Sequence, residues 1–202
     1  MRLFVFARHA ESVLNYEHRI NGDPSVPAPL TDHGREEAAL LGLQVRPLPL
    51  DVGMHTRFGR TQETLRIAID GRDVPIVEEA LLDDVYIGDL EGDTIDDYHA
   101  WKRVHTRSDR FPGGESLDET ALRYAEGFRR LLATPYACAL VVCHEIPIRY
   151  ALNASAGSDD LDGPVHSIPN AAPFLFDEEA LASAADGIDA LVSATSGTRS
   201  PR

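Results

Sequence analysis

Long apolar runs, cysteine and positive charge are the three things this chain of 202 residues is short of. No segment approaches the roughly 20 consecutive apolar residues that a membrane-spanning helix requires. The run Leu3 to Ala7 is interrupted by Arg8 and His9 too soon to serve as the core of a signal peptide. No membrane partner is expected. Cysteine occurs only at Cys138 and Cys143, inside one apolar stretch, which argues for buried reduced thiols and a cytoplasmic setting rather than a disulfide scaffold. With 19 Lys and Arg against 33 Asp and Glu, the formal charge is -14. That sign is wrong for a protein that gains affinity from nucleic-acid phosphates or anionic lipid, so no nucleic-acid partner is expected either.

Familiar chemical signatures are also missing. The 8 histidines include no His-x-x-x-His pair, there is no Cys-x-x-Cys, and the aspartate-rich residues 83 to 97 do not keep the register of a calcium loop. No metal and no cofactor are expected. Neither a Walker loop nor a dinucleotide glycine fingerprint occurs, and Gly114-Glu115-Ser116-Leu117-Asp118 lacks the last glycine of a nucleophile elbow. Cys143 and His144 are neighbours whose side chains point to opposite faces of a strand, a poor thiol and base pair.

What is present is an alternation of short apolar runs with longer segments of helical period. Leu3 to Ala7, Leu50 to His55 and Ala139 to Cys143 read as strands buried on both faces, and Val74 to Val77 as a further short one. Thr31 is a helix N-cap, with Ala38, Leu41 and Val45 on one face and Pro47 and Pro49 beyond the end. Helices are predicted over Arg60 to Ile69, over Ser116 to Leu132 and around Ile148 to Ala154. The order specifies an α/β protein, a three-layer α/β/α sandwich around a central, mostly parallel sheet. Length and composition suit one domain over residues 1 to 192, with a polar tail over 193 to 202. Nothing in the pattern specifies an oligomer.

In open α/β sheets ligands bind beyond the carboxyl ends of the strands. Arg8 and His9 follow the first strand, Thr56 to Arg60 the second, and His144 the third, so three sets of basic groups are expected on one edge.

Those residues carry a resemblance. Arg8-His9-Ala10-Glu11-Ser12 is similar to the opening Arg-His-Gly-Glu-Ser/Thr motif of the histidine phosphatase superfamily, the phosphoglycerate mutase-like family. Asn15, Leu30-Thr31-Asp32-His33-Gly34, Arg60-Thr61-Gln62-Glu63-Thr64, Gly88-Asp89-Leu90-Glu91-Gly92, Gly113-Gly114-Glu115-Ser116 and Val142-Cys143-His144 follow in the family's order. The resemblance implies a phosphoglycerate mutase-like fold and a phosphatase that acts on a small phosphorylated substrate. In that reading His9 is the nucleophile, Arg8, Arg60 and His144 hold the phosphate, Asp84 is the proton donor, and Ser12 and Asn15 contact substrate. A phosphomutase and a catalytically weak phosphate-binding or phosphoprotein-binding module are the alternatives.

Three positions depart from the family. Ala10 and Glu145 stand where glycine is usual, and Asp84 where glutamate is more frequent. The added methyl of Ala10 is expected to be tolerated, and Glu145 to point away or pair with an arginine; for the shorter Asp84, either the backbone compensates or Asp83, Asp84 or a neighbour does a weaker job. Arg57 and Asp83 are the local competitors of Arg60 and Asp84. The island Lys102 to Arg107, with Arg110, is either a solvated helix face or a seat for a second anionic group.

Overall fold

In the computed structural model, which describes residues 2 to 197, the chain runs through Leu3–Arg8 (β1), Val13–Tyr16 (α1), Asp32–Val45 (α2), Val52–His55 (β2), Gly59–Ala68 (α3) and Ile76–Glu78 (β3), then Ile95–Val104 (α4), Leu117–Ala133 (α5), Cys138–Cys143 (β4), Glu145–Ser155 (α6), Pro173–Asp177 (β5) and Glu178–Gly197 (α7). The strands form one sheet in the order β3-β2-β4-β1-β5. β4 lies parallel between β2 and β1, β3 is parallel to β2, and β5 closes the far edge antiparallel to β1.

The two-residue period of the strands divides the core. From β1, Phe4 and Phe6 enter one apolar cluster and Val5 and Ala7 the other; from β4, Ala139, Val141 and Cys143 enter the first and Cys138, Leu140 and Val142 the second. Both faces are therefore buried, and these strands read as continuous apolar runs for that reason. The first cluster is covered by α5, α6 and α7 through Tyr124, Phe128, Ile148, Leu181 and Ile188, the second by α2 and α3 through Leu41, Val45 and Leu65. Burial of each large side chain of this kind is worth about 1.5–3 kcal/mol. A third cluster of Val85, Ile87, Phe111 and Leu117, with Tyr98 and Trp101 against it, ties α4 and the loops above the sheet to the body.

The expected sandwich is present, with boundaries moved by one to three residues. Thr31 caps α2 by accepting from Gly34 N, and Ser116 caps α5 in a reciprocal capping box with Glu119. β3 starts two residues later than the expected Val74 to Val77 and ends one later, and all of it is exposed. β5 and α7 were not anticipated. β5 opens on Pro173 and buries only Phe176, as an edge strand can, while α7 repeats small residues, with Leu181, Ala184, Ala185, Ile188 and Val192 along its buried stripe. Ser193 to Gly197, expected to begin a polar tail, continue α7; the rest of that tail lies outside the described residues. Cys138 and Cys143 are buried free thiols. Among the described residues, no helix is long and apolar enough to cross a membrane.

Candidate active site

The parallel strands β1, β2 and β4 end side by side, so the residues that follow them meet. His9, Arg60 and His144 are 2%, 3% and 1% exposed, and His9 and Arg60 line a cleft of about 240 Å³. His9 Nδ1 lies 2.8 Å from the carbonyl oxygen of Ala10, which can only accept, so Nδ1 carries the ring proton and Nε2 the lone pair. Arg60 Nε donates to that lone pair at 3.0 Å. Burial, followed by the positive charges of Arg60 and Arg8, holds the His9 pKa well below its ordinary value of 6.5, so the ring is neutral. The backbone around it is pinned: Ala10 N donates to Thr64 Oγ1 at 3.0 Å, and Asn170 Nδ2 to His9 O at 2.7 Å.

Arg60 joins the cluster together. Its Nη1 donates to Asn21 Oδ1, and its Nη2 to Asn21 O at 3.1 Å, to Asp84 Oδ2 at 3.0 Å and to His144 Nδ1 at 3.2 Å. The guanidinium also lies 4.2 Å from the centre of the Phe58 ring. Because Arg60 only donates, His144 Nδ1 accepts, and the proton of His144 resides on Nε2, 2.9 Å from Thr56 Oγ1. Thr56 passes its own proton to Thr61 Oγ1, which donates to Phe58 O, so no hydroxyl in the chain is left over. His144, like His9, is kept neutral first by burial and then by Arg60.

Asp84 completes the group. Its Oδ2 is 3.3 Å from His144 Nδ1, and Arg60 Nη2 donates to both atoms. Burial raises the Asp84 pKa against the lowering effect of Arg60, although 26% of the side chain remains open to the cleft. The backbone around it is anchored: Arg123 donates to the carbonyls of Leu81, Asp83 and Asp84, and pairs with Glu115. Asp83 instead accepts from Arg57 N and Nε, away from His9, so the competing pair Arg57 and Asp83 bind each other.

Arg8 Nη1 donates to Ile168 O at 2.8 Å and meets Glu145 Oε2 at 2.8 Å, while its buried Nε has no partner among the described residues. Glu145 thus pairs with an arginine, but the arginine is one of the site. Ser12 and Asn15 line the cleft and cap α1 reciprocally, the Ser12 hydroxyl donating to Asn15 Oδ1 at 3.0 Å. Ala10 is fully buried in the apolar cluster with Leu30 and Leu41, so its methyl packs into the core. The basic island divides: Lys102 lines the cleft, Arg107 pairs with Asp118 and Asp162, and Arg110 pairs with Glu119.

Sequence reasoning missed Asn21 and the service of Glu91. Glu91 Oε2 accepts from the backbone of Gly22 and Asp23 and its Oε1 from Asn21 Nδ2, so it orients the asparagine that holds Arg60. A β-carbon on Gly22 would lie 2.1 Å from Val85 O, a contact that only glycine permits. The Asn-Gly dipeptide was legible as a turn; its contact with Arg60, across 39 positions, was not. Among the described residues, no group of three or more His, Cys, Asp or Glu is disposed to hold a metal.

The two depressed histidines predict a pH dependence of stability. Each has a folded pKa below its unfolded value near 6.5, so the unfolded chain binds more protons and stability is lost as pH falls below that value. Asp84, with its pKa raised by burial, acts in the opposite sense. The denaturation midpoint is expected to drop between pH 7.5 and 5.5, and to drop less in His9→Gln. An equal drop in the two proteins would refute the assignment.

A sequence model of the histidine phosphatase superfamily (branch 1) matches residues 4–177. The chain is 38% identical over 135 residues to a 2,3-bisphosphoglycerate-dependent phosphoglycerate mutase 2 of Gloeobacter violaceus, covering 61% of this chain and 60% of that protein. It is 32% identical over 134 residues to a 2,3-bisphosphoglycerate-dependent phosphoglycerate mutase of Cytophaga hutchinsonii, covering 61% of each. The matched part therefore spans about three fifths of these relatives. In structure the chain is similar to the alpha-ribazole phosphatase from Shigella flexneri, with a TM-score of 0.76 at 22% identity over 87% of this chain and 90% of that one. It is also similar to a mycobacterial glucosyl-3-phosphoglycerate phosphatase, with a TM-score of 0.74 at 19% identity over 88% and 93%.

Proposed function

We propose, from the premise that this chain belongs to the histidine phosphatase superfamily, that it is a phosphatase hydrolysing small phosphate monoesters through a phosphohistidine on His9, with no metal required. The observation that carries the reading is the neutral His9, its Nε2 lone pair directed at the same guanidinium that contacts His144 and Asp84. Arg60 Nε and the unpartnered Nε of Arg8 are donors suited to the nonbridging oxygens of a phosphoryl group. Once Arg60 donates to the phosphate instead, His9 Nε2 is free to attack phosphorus in line. The bond to the leaving oxygen breaks as Asp84 gives that oxygen its proton, and the alcohol departs. Water then attacks the phosphohistidine, Asp84 takes its proton, and the N–P bond breaks to release phosphate. Arg8, Arg60 and His144 stabilise the charge spread over the phosphoryl oxygens in both steps. We place the enzyme in the cytoplasm on the two unpaired buried cysteines.

The test is hydrolysis of an aryl phosphate in excess chelator, with acid-labile phosphate trapped on the protein. Absence of both sinks the proposal. In Asp84→Asn, rates are expected to fall by about 10²–10⁴-fold for alkyl phosphates and far less for a nitrophenyl ester, whose leaving group needs no proton. A uniform loss would remove Asp84 from the acid role.

A second reading, a phosphoglycerate-type phosphomutase, is favoured by the names of the curated relatives. It is separated by incubation with 3-phosphoglycerate and a bisphosphoglycerate primer: formation of 2-phosphoglycerate faster than release of phosphate would establish it.

A further inference from the structure

Glu145 occupies the first turn of α6, directly after His144, and its carboxylate stands at the cleft between two arginines: Oε2 is 2.8 Å from Arg8 Nη1 and Oε1 is 3.5 Å from Arg149 Nη1. The side chain remains 27% exposed toward the cleft it lines. A carboxylate on a phosphate-holding arginine works against anion binding unless it selects among substrates.

The pairing of the other cations at the cleft points the same way. Arg149 Nη2 is 2.5 Å and Arg107 Nη1 2.6 Å from the carboxylate of Asp162, with Lys102 Nζ at 3.8 Å, and Arg107 pairs in addition with Asp118. Of these three cations Arg149 and Lys102 line the cleft, and both are paired with Asp162. Arg19, at the rim, is half exposed and pairs with Glu17. A second anionic group on a substrate thus finds its cations committed and meets Glu145 beside the phosphate. The wall also carries Tyr98, whose buried hydroxyl has no partner among the described residues, a group that a neutral hydroxyl can satisfy.

We infer that Glu145 is a specificity-determining residue that selects phosphate monoesters of uncharged, hydroxyl-bearing alcohols and rejects those with a second negative charge near the ester. The carboxylate accepts a hydrogen bond from a leaving-group hydroxyl, and repels a carboxylate or second phosphate in the same place. This rests on the phosphatase reading above, and makes a sugar- or polyol-like phosphate the substrate class.

A matched pair tests it: glycerol 3-phosphate and 3-phosphoglycerate differ by a hydroxymethyl group against a carboxylate. The wild-type protein is expected to favour glycerol 3-phosphate by about tenfold or more in kcat/KM. Glu145→Gln should collapse that preference, chiefly through a lower KM for 3-phosphoglycerate, and Glu145→Asp should retain most of it. A substitution that merely loosened α6 would depress both substrates alike. The inference is overturned if the wild type favours 3-phosphoglycerate or if Glu145→Gln leaves the ratio unchanged. Aryl phosphate hydrolysis is measured on the same preparations. If it is absent, the phosphatase reading fails by itself, and calorimetric affinities for the two esters decide the selection: equal affinities in the wild type, or a difference that survives in Glu145→Gln, overturn it.

Discussion

Replacement of His9 by Ala is expected to abolish hydrolysis of phosphate monoesters, by about 10³-fold or more, and to eliminate acid-labile phosphate from the protein. The expectation follows from the position of Nε2. Nδ1 is committed to the carbonyl of Ala10, so one nitrogen alone is available for attack, and it is held at the guanidinium of Arg60. The other polar groups in the cluster are poor substitutes. His144 commits Nε2 to Thr56, and its Nδ1 is shared between Arg60 and Asp84. Truncation leaves Arg8, Arg60 and His144, the proposed phosphate ligands, in place, so the variant should still bind orthovanadate or inorganic phosphate, and added imidazole should restore part of the rate with an aryl phosphate. In the proposed mechanism the loss belongs to kcat, because the group removed is the one that reacts. Retention of more than a tenth of the wild-type rate, with a circular dichroism spectrum unchanged, would move the nucleophile elsewhere.

The next largest effect is expected at Arg60, and a conservative substitution exposes it. Lysine keeps the charge but offers one point where the guanidinium fork reaches His9, Asn21, Asp84 and His144 together. Loss of a preorganised donor to the transferring group typically costs about 10²–10³-fold in kcat. Arg60→Lys should fall in that range, with a further rise in KM. Arg57→Lys is the matched control: Arg57 is 54% exposed and bound to Asp83, so its replacement should change kcat/KM by no more than about threefold. Comparable losses in the two variants would show that the neighbouring arginine had been misassigned.

How much of this was legible before the fold was known depended on the range of the interaction. β1 and β4 could be read directly, because a strand buried on both faces must be apolar at every position, and Phe4 to Ala7 and Ala139 to Cys143 meet that demand. The caps at Thr31 and Ser116 were equally local, each made to an amide three residues ahead. β5 and α7 escaped because an edge strand with one buried side chain and a helix of small residues leave weak periodic signals. Arg8, His9, Arg60 and His144 were identifiable as the residues that follow strands, which topology alone brings to one edge.

The sequence by itself determined the chemistry available: a histidine and an arginine behind one apolar strand, and a second histidine behind another. Only the tertiary structure decided which nitrogen of His9 is free, that Asp84 rather than Asp83 turns inward, and that Asn21 and Glu91 hold Arg60 in place. It also settled that Glu145, expected to point away or pair with an arginine, pairs with Arg8 and Arg149. The physical reason is common to all of these. A strand or a cap is specified by neighbours within a few residues, whereas the tautomer of a buried imidazole and the protonation of a carboxylate are set by desolvation and by partners such as Arg60, which is 51 positions from His9 and 84 from His144.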